Sequence, residues 1–357
     1  MANFPESILI TGGAGFVGGS LALFLKGRHS RTRVAAMDNL HRRGSDLNLP
    51  RLQAAGVEFV KGDIRFMNEF PAGPFESLIE CSAEPSVLAG YHESPDYLME
   101  TNFMGTYRCL EKARQWSSKV LFLSTSRVYP IAPLEAHPWR ETPTRFEWED
   151  AAGAAISSQG VRESLPLLGA RSLYGLTKLA SEGLIEEYRS AFGLRAAINR
   201  CSVIAGPWQM GKVDQGVVAL WVLRHYFGKG LKYIGYGGTG KQVRDMLHVE
   251  DLCDLVEEQL SQFDHWDGWL GNVGGGRPNS ASLQELTGLC REVVGRRVTI
   301  ESEPATRQAD LRLFLADCGR LFERTAWRPR RDVKTIVADV FGWVGKNERK
   351  LEALVCQ

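Results

Sequence analysis

Ile8-Leu9-Ile10-Thr11-Gly12-Gly13-Ala14-Gly15-Phe16-Val17-Gly18, followed by the apolar run that ends at Asp38, decides the fold. A short buried-type strand runs into a glycine-rich turn and then into a helix. Glycines 12, 15 and 18 permit a tight turn, a close approach of backbone to a pyrophosphate, and close packing of helix on strand. Amides and the positive dipole at the start of the helix favour phosphate charge. Asp38 follows Gly18 at the separation of roughly 20 residues where a carboxylate accepts hydrogen bonds from an adenosine ribose. Glycine turns alone are common. Strand, three glycines, helix, second strand and terminal acid together point to dinucleotide binding, with Gly12, Gly15, Phe16, Val17, Asp38 and Asn39 as candidate contacts.

Composition agrees with a folded chain. Its 357 residues suffice for one large or two modest domains. With 44% hydrophobic and 24% charged residues it reads as an ordinary globular protein. A net charge of +1 gives no electrostatic case for nucleic acid or an anionic membrane. The cysteines at 81, 109, 201, 253, 290, 318 and 356 lack a paired CxxC spacing. They read as reduced thiols of a cytoplasmic protein, not as a disulfide frame or a metal site. The sequence enters its first strand almost at once, which gives no signal-peptide pattern. The longest apolar stretches, such as Val217–Leu223, are too short to span a bilayer.

Strand and helix patterns alternate through the first half. Arg33–Asp38, Val57–Lys61, Ser77–Cys81 and Lys119–Ser124 read as short, apolar, buried parallel strands. Gly18–Arg28, Leu47–Ala55 and Asp96–Trp116 carry helical spacing. This succession predicts an α/β fold: a Rossmann-type doubly wound parallel sheet. Asp38, Asp63, Ser82-Ala83 and Ser124-Thr125 then fall at the carboxyl ends of strands, on one crevice. From about Pro130 to Arg171 the period lapses, and so long an irregular segment is usually functional or mobile. Beyond Gly206 the chain reads as a smaller C-terminal α/β lobe. The expected division is residues 1–205, with the irregular insert inside it, and residues 206–357.

A second constellation carries chemistry. Tyr174-Gly175-Leu176-Thr177-Lys178 opens an expected helix running to about Phe192, so Tyr174 and Lys178 share a face one turn apart. A nearby ammonium lowers the tyrosine pKa from its ordinary value near 10. The phenolate then serves as a base at neutral pH, and the lysine can also hold a nicotinamide ribose. Ser124-Thr125-Ser126 supplies hydroxyls to bridge a substrate oxygen and the phenol. Solvated Tyr/Lys pairs are common on helices; downstream of a dinucleotide fold the pattern gains weight.

With these residues in view, the chain resembles the extended short-chain dehydrogenase/reductases that act on nucleotide sugars. The glycine turn, Gly62-Asp63-Ile64-Arg65, Asn102-Phe103-Met104-Gly105-Thr106, Ser124–Tyr129, Tyr174–Lys178 and Arg244–Asp251 stand in family order. The resemblance implies NAD as cofactor and Thr125, Tyr174 and Lys178 as the catalytic set. It implies that Asp63 and Ile64 meet the adenine, and that Ser82, Ala83, Cys201 and Ser202 line the cofactor. Glu84, Ser126, Gln215, Arg244 and Arg307 are the implied substrate contacts, the arginines on a diphosphate. It also implies a homodimer, paired through the helices after Pro95 and around Tyr174–Phe192.

Within the family, several segments are similar to the subgroup of CDP-tyvelose 2-epimerases. They are Asp38–Gly44, Val213-Asp214-Gln215-Gly216, Gly240–Asp245 and Thr306–Asp317. Two segments depart from it. Glu80-Cys81-Ser82-Ala83-Glu84-Pro85 stands where the subgroup has a histidine-led run of small residues, and Cys201–Trp208 replaces a more polar run. The resemblance implies transient oxidation of a sugar hydroxyl and re-reduction to the epimer. Related dehydratases place an Asp-Glu pair after the threonine, whereas Ser126-Arg127 stands here. A 4-epimerase, a decarboxylase, a net reductase and an NAD-sensing scaffold are the alternatives. Plainer roles compete at single residues: local packing for His248, a turn for Arg42 and Arg43, an ion pair from Arg244 to Asp251 or Asp245, a hairpin for Gly235–Gly240, and core packing for Trp208, Trp221, Trp266 and Trp269.

Overall fold

A computed structural model describes residues 4–211 and 215–355. The chain forms two compact units. The first comprises Met1–Val128, Ser172–Arg200 and Leu252–Gly271; the second comprises Tyr129–Arg171, Cys201–Asp251 and Asn272–Gln357.

The first unit carries a seven-stranded sheet. Its strands are β1 (Ser7–Thr11), β2 (Arg33–Asp38), β3 (Glu58–Lys61), β4 (Ser77–Glu80), β5 (Lys119–Thr125), β6 (Ala196–Cys201) and β7 (Leu270–Val273), in spatial order β7-β6-β5-β4-β1-β2-β3. The pairs β1–β2, β2–β3, β1–β4 and β4–β5 are parallel. Order reverses beside β1, so β1 and β4 flank the switch point where such sheets bind ligands. Register sets Glu80 beside Thr11 on one side and Phe122 on the other. Helices α1 (Phe16–Arg28), α2 (Gly105–Trp116) and α3 (Leu173–Phe192) cover the sheet. Leu9, Leu78, Phe122, Leu110 and Ile185 share one core. The expected helix over Asp96–Trp116 is broken in detail: Asp96–Met99, a wider turn at Glu100–Met104, then α2.

The second unit centres on Val243–His248. That strand pairs in parallel with Val203–Ala205 and Leu313–Phe314, and antiparallel with Ser280–Ser282. Leu231–Ile234 pairs in parallel with Ile300–Glu303, so the Gly235–Gly240 cluster is not the turn of a hairpin. Helices Val217–Tyr226, Leu283–Val294 and Val333–Lys346 bury Val222, Leu286, Ile336, Val340 and Trp343 together.

The structure therefore replaces the single cut at 205/206. Residues 252–271 return to the first unit because Arg28 pairs with Asp254 at 3.1 Å and Glu257 at 2.8 Å, and because β7 completes the sheet. There Trp269 donates its indole N–H to Asn199, which exchanges amide hydrogen bonds with Gln259. The stretch 130–171 is ordered. It holds a helix at Ile131–Ala136 and two small hairpins, Trp139–Glu141 with Phe146–Trp148 and Ile156–Ser157 with Gly160–Val161. It belongs to the second unit because its backbone bonds there: Val161 donates to Leu315 O and Phe146 donates to Lys241 O. Asn272 adds a side-chain bond to Val161 O. Such short elements, bonded to distant segments, leave no period in the sequence.

Candidate active site

The glycine turn has the geometry its sequence suggests. Gly12 adopts φ +64°, and a Cβ there would lie 2.9 Å from the Cys81 carbonyl oxygen, so a side chain would push β1 from β4. Gly15 caps α1 without any side-chain bond, and no acid stands in the first turn. The helix start at Phe16 and Val17 thus suits an anion. Asp38, at the end of β2, accepts the Ala14 amide at 3.1 Å and the Leu40 amide at 2.7 Å. Burial pushes the Asp38 carboxyl above its ordinary range. Asn39 donates to Asp63 at 2.9 Å and Arg65 donates to it at 2.7 Å. Burial works to raise Asp63, but the bonds from Arg65 and Asn39 prevail and hold it low. Ile64 is buried where Gly105 leaves it room.

Beyond β4, the loop carrying Ser82, Ala83 and Glu84 is clasped by Asn102. The Asn102 Oδ1 accepts the Glu84 amide at 2.8 Å, and its Nδ2 donates to Glu84 O at 3.0 Å. The Glu84 carboxylate accepts the Ser86 amide at 3.1 Å.

Thr125 closes β5 and its hydroxyl accepts the Arg127 amide at 3.2 Å. Ser126 opens the short turn that follows. Ser172 caps α3 by accepting the Gly175 amide at 3.1 Å. At Gly175 a Cβ would collide with the Arg127 carbonyl oxygen, so glycine alone lets the first turn of α3 approach the turn after Thr125. Tyr174 rides on that first turn and Lys178 follows one turn later. Lys178 is 2% exposed, with Nζ 3.3 Å from Glu80 Oε2 and 4.3 Å from the centre of the Phe122 ring. Burial works to discharge the ammonium; the Glu80 and Tyr174 charges oppose it and keep the Lys178 pKa raised. Glu80 is a neighbour of Lys178 that the sequence reading did not pair with it. The available signals were a carboxylate closing the strand Ser77-Leu78-Ile79-Glu80 and the departure of the segment it opens from the subgroup.

In the second unit, Arg244 donates to Asp310 at 2.9 Å and to Leu311 O at 2.7 Å. Neither Asp251 nor Asp245 is its partner. Asp251 holds Arg331 at 2.5 Å, and alternation along the strand turns Asp245 to the opposite face from Arg244. Asp245 is buried and accepts the Gly276 amide at 3.1 Å; burial raises its pKa to about 6. Arg307 precedes Asp310 in the same loop, and its carbonyl accepts the Asp310 amide. Ser202 donates its amide to Val273 O, one residue after the buried Cys201. The Gln215 side-chain nitrogen is buried with no hydrogen-bond partner among the described residues. Val213 and Asp214 of its motif lie outside the described residues, as does Cys356. His248 accepts the Glu250 amide and sits 3.3 Å from Asp339, a local arrangement. Trp221, Trp266 and Trp269 are buried in core positions.

Fold and site together define a dinucleotide-dependent enzyme of nucleotide-sugar chemistry. The chain belongs to the NAD dependent epimerase/dehydratase family, which it matches over residues 8–268. It is 32% identical to CDP-paratose 2-epimerase of Salmonella typhi, covering 94% of this chain and 98% of that one. It is 28% identical to dTDP-glucose 4,6-dehydratase of Streptomyces antibioticus over 98% of this chain and 95% of that one. Among solved structures, the UDP-glucose 4-epimerase of Thermus thermophilus, crystallised with NAD, superposes with a TM-score of 0.75. Identity there is 23%, over 94% of this chain and 98% of that one, and the likeness is one of fold. Among the described residues, no helix is long and apolar enough to cross a membrane.

Proposed function

We propose that the chain epimerises a nucleotide-diphosphate sugar by transient oxidation and re-reduction, with a CDP-linked sugar and its C2 as the leading substrate and carbon. The observation that carries this reading is the close approach at Gly175, which seats Tyr174 and a buried Lys178 beside the strand end bearing Thr125. Gly12, Gly15, Phe16, Val17, Asp38, Asn39, Asp63, Ile64, Ser82, Ala83, Cys201 and Ser202 are the residues that would hold NAD. Their open helix start, glycine turn and strand-end acid suit a dinucleotide. NAD, when bound, supplies a reversible hydride acceptor.

The chain's own groups manage the proton. Tyr174, as phenolate, takes it from the sugar hydroxyl and returns it after the keto sugar has presented its other face. Thr125 donates a hydrogen bond to the reacting oxygen, and Lys178 holds the phenol acidic. Arg244 and Arg307 take the diphosphate by exchanging carboxylate and carbonyl partners for phosphate oxygens. Gln215, with its unspent donor, and Glu84 and Ser126 complete the substrate set. The identity of Ser126-Arg127 speaks against elimination, since it offers no acid to expel a hydroxyl.

A homodimer fits the exposed apolar side chains of Met99, Tyr107, Leu176 and Phe192 on the helices after Pro95 and on α3, and the scattered cysteines without a paired spacing suit the reducing cytoplasm. The function is tested by incubating the protein with a panel of nucleotide sugars and following new sugars by NMR. A CDP-linked 3,6-dideoxyhexose deuterated at C2 should give the 2-epimer with its label kept. Wash-out of the label defeats direct hydride transfer at C2. A deoxy-keto product indicates a dehydratase, a C4 epimer a 4-epimerase, and no turnover of any sugar a binding protein.

A further inference from the structure

Glu80 and Lys178 form a buried ion pair that the proposed proton transfer does not yet use. The two side chains are 1% and 2% exposed. One carboxylate oxygen meets the ammonium at 3.3 Å, and the other, Oε1, has no hydrogen-bond partner among the described residues. Register places Thr11 and Phe122 on either side of Glu80, and the Phe122 ring lies under the ammonium. The other titratable groups acting on the pair are Tyr174 on α3, Cys81 after β4 and Cys109 on α2. Among these groups, Glu80 alone is a carboxylate.

A fully buried ammonium without a counter-charge gives up its proton, because the interior solvates the neutral amine better than the ion. A neutral Lys178 exerts no pull on a phenolate one turn away. We propose that Glu80 is a positioning residue: its carboxylate pins the Lys178 ammonium and keeps it charged, and so fixes the pH at which Tyr174 becomes a base. This rests on the reading of Tyr174 and Lys178 as the catalytic pair. Glu80 meets the Lys178 ammonium and acts through the lysine. The direction agrees with the balance at Lys178, where burial is the largest influence and the Glu80 charge is the largest opposing it.

The test needs no substrate. Purified NAD-bound protein is titrated and its tyrosinate ultraviolet absorbance recorded for wild type and for Tyr174→Phe; the difference isolates Tyr174. The same pair of curves is taken in a Glu80→Gln background, which keeps shape and removes charge. The wild-type midpoint is expected below the ordinary tyrosine value near 10. Glu80→Gln is expected to raise it by about one pH unit, roughly a tenfold loss of phenolate at a given pH. Glu80→Asp should recover part of that shift, and it serves as the readout if Glu80→Gln does not fold. An unchanged or lowered midpoint in a folded Glu80 variant overturns the proposal. A wild-type Tyr174 that titrates in the ordinary range instead overturns the catalytic reading beneath it.

Discussion

Two charged pairs of the first unit, Arg200 with Glu182 and Lys178 with Glu80, lie buried inside it, whereas Arg244 and Asp310 in the second are partly open to water. Arg200 grips Glu182 in a two-pronged bond with the pair only 4% and 3% exposed, and Ser124 donates to the same carboxylate. Arg244 and Asp310 are 17% and 24% exposed. A buried pair cannot change partners without stranding a charge, so it acts as a fixed field and a brace. A partly exposed arginine trades a carboxylate for a phosphate at little cost, since the carboxylate it leaves is rehydrated. The first arrangement suits chemistry at a set geometry, the second suits capture and release of an anion.

Four experiments press on this contrast. Tyr174→Phe removes the proposed base and leaves Lys178 and Glu80 in place; turnover should fall on the order of 10²- to 10⁴-fold with an unchanged melting curve. A variant that keeps full turnover would detach the buried field from the chemistry. Arg200→Ala strands the Glu182 carboxylate and should cost about 3–5 kcal/mol, read from the urea midpoint. A loss below about 1 kcal/mol would mean that water reaches Glu182 and that the pair is no brace.

Asp245 gives the third, through pH. Its folded pKa near 6 stands above the ordinary 3.8, so the native state binds the proton more tightly than the unfolded state. That contribution to stability is whole below about pH 4 and is lost as pH rises through about 6. Asp245→Asn should therefore melt with wild type in acid and above it at neutral pH, by about 1–3 kcal/mol. Equal pH profiles would show that Asp245 is hydrated. The last experiment is Arg244→Gln. It should change folding by less than about 1 kcal/mol, yet weaken nucleotide-diphosphate binding about 10- to 100-fold by calorimetry, as loss of a charged hydrogen bond does. A large stability loss with unchanged binding would reverse its assignment from ligand grip to internal strut.

The sheet of the first unit was legible because each of its first five strands has an apolar centre between polar ends and each is followed by a turn or helix with its own signature. The placement of Gly12 in a turn, of Asp38 and Thr125 at strand ends and of Tyr174 and Lys178 on one helix was legible because it depends on local spacing. Glu80 was not, since its meaning comes from Lys178, far along the chain, reaching it across the sheet. For Arg244, read as a diphosphate contact, the competing ion pair was sought among acids close in sequence; it bonds Asp310 instead, and strand alternation turns Asp245 away. Residues 130–171 looked irregular because their order comes from backbone bonds to Lys241 and Leu315 and a side-chain bond from Asn272. Pairing at a distance writes no period.

The crossing of the chain between units has a consequence for synthesis. β7, the strand that finishes the first sheet, ends at Val273, so a chain emerging from the ribosome carries β6 as a bare edge while all of residues 202–269 are being made. An open strand edge invites pairing with another chain. Nascent protein is thus most exposed to sticking after β6 has emerged and before Leu270 follows it. Slow translation across that interval, or a stop codon within it, should yield aggregate before any loss of activity is measured in the finished protein.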